Sequence, residues 1–149
     1  MARKAIRIAV TGQACLHGEI AWADAGVQDV RASLSAADAA LVNLEATVAV
    51  GGAWPTKTRT LHITDPAALV SLRQLGFDVL GLANNHAFDL GPPGIAETLR
   101  TAAHAGLQTT GAGSDIRQAE TPAIIKSPQG RIAVIALDTG PQPEIVYAA

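Results

Sequence analysis

Cysteine is almost missing: Cys15 stands alone in 149 residues. An internal disulfide framework is therefore excluded, and the usage fits a reducing compartment. Cys15 itself reads first as a small buried hydrophobe, with a reactive thiol as the alternative. Aromatic residues supply only 3% of the chain, so the core has to be built from Ala, Leu, Val and Ile, and small side chains favour close packing of helices on a sheet. Charge is sparse as well. Only 16% of residues are charged, the net charge is −2, and no basic block or aromatic–basic interleaving occurs. Non-specific nucleic-acid binding needs such a footprint and is set aside. No run approaches the roughly 18 apolar residues that a membrane helix requires. The apolar stretch after the basic Met1-Ala2-Arg3-Lys4 is interrupted by Arg7 and ends at Gly12, too short for a signal peptide. A cytoplasmic chain is expected.

What is present is 48% apolar, enough for one packed domain. Ile6, Ile8 and Val10 alternate, predicting a strand over Lys4–Thr11. Val27, Val30 and Leu34 have helical spacing, and Ala39–Asn43 predicts a second strand. Thr47–Thr60 contains Gly51, Gly52 and Pro55 and reads as a loop. Asp65-Pro66 opens a helix, Asp as cap and Pro in the first turn, with Leu69, Leu72 and Leu75 on one face and Gly76 as its stop. Phe77–Ala83 predicts a buried strand and Gly91–Gly94 a turn. Ile95, Leu99 and Ala102 mark a helix that ends at Gly106, and Leu107–Thr110 a short strand. Pro122–Lys126 and Arg131–Leu137 predict a hairpin around Ser127-Pro128-Gln129-Gly130. Strands alternating with helices indicate an α/β fold, a sheet flanked by helices with right-handed crossovers.

The strands share a habit: each ends in polar residues, at Thr11-Gly12-Gln13, Asn43-Leu44-Glu45, Asn84-Asn85-His86 and Asp138-Thr139. Ligands of open α/β sheets bind beyond the carboxyl ends of strands, so these segments are expected on one rim. Glu45 is either a ligand or a solvated loop residue. Asn84-Asn85-His86 offers amide and imidazole groups that coordinate a divalent metal or orient its water; a helix N-cap with a hydrogen-bonded His is the alternative. Asp89, three residues on, either holds the His86 imidazole in one tautomer, making it a general acid, or starts the following turn. His17 is a ligand or a loop residue. His62, in a predicted strand, and His104, near a helix C-terminus, read as structural. Lys57 and Arg59 either clamp an anionic group or are solvated. Gly111-Ala112-Gly113 lacks the third glycine of a dinucleotide-binding turn, Ile116 standing in its place.

The segments Asn43-Leu44-Glu45, Gly76-Phe77-Asp78-Val79, Ala83-Asn84-Asn85-His86-Ala87-Phe88-Asp89-Leu90-Gly91, Gly94-Ile95-Ala96-Glu97-Thr98-Leu99, Ala105-Gly106-Leu107 and Gly111-Ala112-Gly113 together resemble the CapA family. That family is associated with poly-γ-glutamate capsule synthesis and is similar to the calcineurin-like metallophosphoesterases, with sheets sandwiched between helices. The resemblance covers nearly the whole chain and implies half of that sandwich, a single domain over residues 1–149 that lacks the family's second half. It implies a divalent metal (Mn, Zn or Fe) with Glu45 as bridging acid, Asn85 as ligand, His86 as acid and Asp89 as its orienting partner. His17 is expected as a substitute ligand for Gln13, and Asn84, Lys57 and Arg59 are expected to face substrate. The substrate implied is an anionic polymer, peptide or phosphoester. Two departures stand out: Gln13 replaces the family's Asp after the first strand, and no histidine follows His104. A non-catalytic assembly or binding module is the rival that these departures favour. The Thr11-Gly12-Gln13 opening with His17, and the Trp54-Pro55-Thr56-Lys57-Thr58-Arg59 loop, also look like a CapA-like branch near the lasso-peptide epimerases.

Overall fold

The computed structural model describes residues 5–140. Its centre is a parallel sheet of β1 (Ile8–Ala14), β2 (Ala39–Leu44), β5 (Val79–Gly81) and β6 (Gln108–Thr110), in the spatial order β1-β2-β5-β6. The helices α1 (Ala25–Ser35), α2 (Pro66–Leu75) and α3 (Gly91–Ala105) carry the crossovers. Because neighbours in the sheet follow chain order, right-handed crossovers put all three helices on one face. The core agrees: Leu34, Leu69, Leu72, Leu75 and Ala102 pack with Ala40, Val42, Leu44, Leu80 and Leu82. The strand period of two sends the alternate residues Ala39, Leu41 and Val79 to the other face. There they meet Ala123, Ile125, Ile132 and Val134 of the antiparallel hairpin β7 (Ala123–Ser127) and β8 (Gly130–Val134). The result is the expected α/β sheet flanked by helices. On edge strand β1, however, Ile8 and Val10 remain 47% and 73% exposed, so that part of the second face is uncovered. Among the described residues, no helix is long and apolar enough to cross a membrane.

Several boundaries differ from the sequence expectation. The predicted start of the first strand, Lys4, lies outside the described residues. β1 begins at Ile8 because it pairs with Ala39 at the start of β2, while Arg7 and Asp38 bond to each other just before it. A bulge between Val10 and Gln13 carries β1 past Gly12 to Ala14. Residues Gly91–Gly94 are not a separate turn but the first turn of α3, where Pro92 and Pro93 have the required φ and give up N–H groups that no helix uses. Asp65 occupies the cap position of α2, yet its side chain makes no capping hydrogen bond. The loop predicted from Thr47 opens with a strand, β3 (Thr47–Val48), paired in parallel with β4 (Ile63–Thr64). Two residues are too few for periodicity to show. β8 stops at Val134 and belongs to a sheet of its own, so Asp138 does not end a strand of the central sheet.

Gly111-Ala112-Gly113 has a packing explanation. A Cβ on Gly111, whose φ is +91°, would lie 2.7 Å from the Cβ of Ala83, and one on Gly113 would lie 2.6 Å from that of Gln118. Both glycines permit close approach as the chain leaves β6, and no phosphate is needed to account for them.

Candidate metal centre

Three chain segments meet beyond the carboxyl ends of β2 and β5. Glu45 occupies the short connection between β2 and β3, and its N–H bonds to the Ala14 carbonyl at the end of β1. His62 immediately precedes β4, and its carbonyl accepts from Thr47 N–H at 2.9 Å, so the small β3–β4 ladder lays His62 beside Glu45. His86 follows β5. Its position is set by Asn84, whose carboxamide nitrogen donates to Asn43 Oδ1 and the Leu44 carbonyl, while its oxygen accepts from the N–H groups of His86 and Ala87. One amide thus ties the end of β2 to the loop after β5.

Ligand atoms of Glu45, His62 and His86 all lie within 4.8 Å of one another. The imidazoles of His62 and His86 are stacked, with centroids 3.7 Å apart and planes inclined by 10°. Their partners assign the protons. His86 Nδ1 lies 2.8 Å from Asp89 Oδ2, and a carboxylate only accepts, so Nδ1 carries hydrogen. His62 Nδ1 lies 3.1 Å from the Glu45 carbonyl oxygen and must donate for the same reason. Both rings therefore keep Nε2 bare. One carboxylate and two such imidazoles form a donor set suited to a first-row divalent ion.

Asp89, 1% exposed, is the hub beneath this group. Oδ2 accepts from His86 and from the His62 N–H at 2.7 Å. Oδ1 lies 2.7 Å from Lys57 Nζ, off the direction of a hydrogen bond, so that contact is an ion pair. Thr56 N–H donates to the Asp89 carbonyl, and Thr56 Oγ1 to that of Phe88.

The residues singled out from the sequence are distributed as follows. Glu45, His86 and Asp89 come together. Asn84 binds the two loops to each other. Asn85 is exposed; its carbonyl accepts from Lys57. Lys57 turns inward to Asp89, whereas Arg59 is exposed on the same loop. His17 is exposed, with Nδ1 3.3 Å from the Ile63 carbonyl oxygen, outside the cluster of three. Gln13 stands opposite Asn43 across the β1–β2 pair. Cys15 is exposed rather than buried, because it follows the last residue of an edge strand, and its sulfur lies 3.6 Å from His62 Nδ1. His104 is on α3, against Arg100. His62, read as structural, is the member of the cluster that sequence reasoning missed. The available signal was scarcity: with only four histidines, each is worth placing. An open groove of about 1420 Å³ adjoins the site, with Leu82, Phe88, Ile95 and Ile116 in its wall and Asn84 and Asn85 at its edge.

Residues 7–146 match the family of the bacterial capsule synthesis protein PGA_cap. The chain belongs to that family. Among the curated proteins it resembles are two probable polyglutamine synthesis accessory proteins from two strains of Mycobacterium tuberculosis, 34% identical over 91 residues, which is 61% of this chain and 24% of each relative. An uncharacterized protein of Sinorhizobium fredii is 32% identical over 82 residues, 55% of this chain and 18% of the relative. The aligned part thus spans about a quarter or less of these curated relatives.

Proposed function

We propose that this domain is the metal-holding part of a capsule or poly-γ-glutamate synthesis protein whose chemistry is metallophosphoesterase-like hydrolysis of an anionic polymer, peptide or phosphoester. The observation that carries the reading is the convergence of Glu45, His62 and His86 with both imidazoles presenting a bare Nε2. Those three side chains would hold the ion. A bound divalent metal supplies a nucleophilic water near neutral pH and polarises a carbonyl or phosphoryl oxygen. The chain's own residues prepare the site. Asp89 fixes the plane and tautomer of His86 and, through the His62 N–H, the backbone on which the second imidazole rides. Asn84 keeps the loops of Glu45 and His86 at a constant offset.

Calorimetry of the purified protein with Mn²⁺ and Zn²⁺ tests this. Glu45→Gln and His62→Ala are expected to weaken binding at least about 100-fold, beyond the effect of losing an outer partner, while His104→Ala leaves it unchanged. Full-strength binding in His62→Ala would remove the reading.

The neutral Gln13 at the sheet end favours a second reading, a non-catalytic assembly or binding module. It is distinguished by a capsule-assembly assay in which His86→Ala retains full function.

A further inference from the structure

We infer that Lys57 is a positioning residue of the centre, acting on His86 and His62 through Asp89 rather than contacting a ligand. In sequence it sits in a Gly/Pro-bounded, polar loop that invites a solvated reading. In the structure its side chain is only 20% exposed. The neighbouring Thr56 pins that stretch to the carbonyls of Phe88 and Asp89. The ammonium lies 2.7 Å from Asp89 Oδ1, and 3.2 Å from both the Asn85 carbonyl oxygen and His86 Nδ1.

The proton inventory decides what these distances mean. Lysine only donates and a carboxylate only accepts. Two lone pairs facing each other over the 2.8 Å between Asp89 Oδ2 and His86 Nδ1 would repel, so Nδ1 bears hydrogen and the approach of Nζ to it is proximity, not a bond. The lysine charge is spent on Oδ1, which makes no hydrogen bond. That leaves Oδ2 free to serve the His86 ring and the His62 N–H together. With Lys57 in place, a nearly water-free carboxylate keeps its orientation. Without it, Oδ1 has no close countercharge and no hydrogen bond, the rotation of the carboxylate is no longer fixed, and the Nδ1–H form of His86 loses the oriented acceptor that supports it. Outer partners of this kind set the tautomer and basicity of a ligating imidazole.

The experiment has two arms. In the first, long-range proton–nitrogen correlation spectra of the apo protein report the imidazole tautomers. The wild type is expected to show His86 as Nδ1–H, Lys57→Met a mixture of both tautomers, and Lys57→Arg a return to the wild-type pattern. In the second, calorimetry with Mn²⁺ or Zn²⁺ is expected to show Lys57→Met binding about 10- to 100-fold more weakly, with Lys57→Arg recovering most of the loss. The second arm rests on the proposed metal function and the first does not. A wild type that binds neither ion refutes the metal reading while the tautomers still decide the role of Lys57. A folded Lys57→Met protein with the wild-type His86 tautomer overturns the inference, as does a loss of thermal stability in that variant without any tautomer change. Lys57→Gln, which keeps a donor for the Asn85 carbonyl, replaces the Met variant if that one does not fold.

Discussion

Replacing Asp89 with alanine removes three contacts at once: the Lys57 ion pair, the acceptor for His86 Nδ1 and the acceptor for the His62 N–H. Breaking a buried pair by deleting one partner costs about 3–5 kcal/mol, because the other charge is left behind. Lys57, 20% exposed, can partly escape to water, which lowers that figure. The stranded His62 N–H adds about 1–3 kcal/mol. A net loss of about 3–5 kcal/mol follows. An unfolding entropy near 2.1 cal/mol/K per residue makes 1 kcal/mol worth about 3 °C in a chain of this size. Asp89→Ala should therefore lower the melting temperature by about 10–15 °C in calorimetry. Asp89→Asn is the control. Its carboxamide oxygen still accepts from the ring and the backbone, but its NH2 then faces the Lys57 ammonium, donor against donor, so a loss of about 1–3 kcal/mol, below that of Asp89→Ala, is expected. If the two variants cost the same, or if Asp89→Ala stays within about 1 kcal/mol of wild type, Asp89 is not the hub described above.

Gly94→Ala should destabilise the protein although alanine is the better helix former. Its Cβ would lie 2.6 Å from Thr47 Oγ1 and 2.7 Å from the Leu90 Cβ, and an overpacking cost of about 1–3 kcal/mol outweighs a propensity gain of about 1 kcal/mol; urea unfolding reads the sign. Thr60 has a positive φ of 54°, a conformation that disfavours β-branched residues and tolerates asparagine. Thr60→Asn is accordingly expected to raise stability by about 0.5–1 kcal/mol, seen as a higher urea midpoint. Hydrogen bonding to Arg100 holds the Glu97 carboxyl below its ordinary pKa. Its contribution is present above the unfolded-state pKa and lost as pH falls through the folded one. The small difference in urea midpoint between wild type and Glu97→Gln should be visible at neutral pH and fade as the pH falls below the ordinary carboxylate range.

The helices of the central layer could be read from the sequence because Leu69, Leu72 and Leu75, like Ile95, Leu99 and Ala102, recur at the spacing of one helical face. His86 and Asp89 could be read because they act on each other three residues apart, within a single loop. Asn43 and Asn84 were found from their places at strand ends, but their mutual hydrogen bond joins residues 41 positions apart. His62 reaches the site through a two-residue parallel ladder with β3, a pairing too short to leave a pattern. The inward turn of Lys57 is equally silent, since a lysine among threonines and a proline has the composition of a solvated loop. Propensity describes neighbours in sequence, and these two side chains owe their positions to neighbours in space.

The Asn84 carboxamide, saturated on both of its heavy atoms, makes a rigid cradle of two walls of the site. The third wall hangs on the stretch between Val48 and Ile63, outside the central sheet. Divergence among relatives then has a natural place to act. Exchange of that stretch for one of another length or chemistry would re-aim the His62 imidazole and, where Thr56 and Lys57 go with it, loosen the Asp89 support of His86, while the central sheet keeps its order. A loop-transplant series that keeps Thr56 and Lys57 therefore moves the His62 wall alone, against two walls that stay fixed.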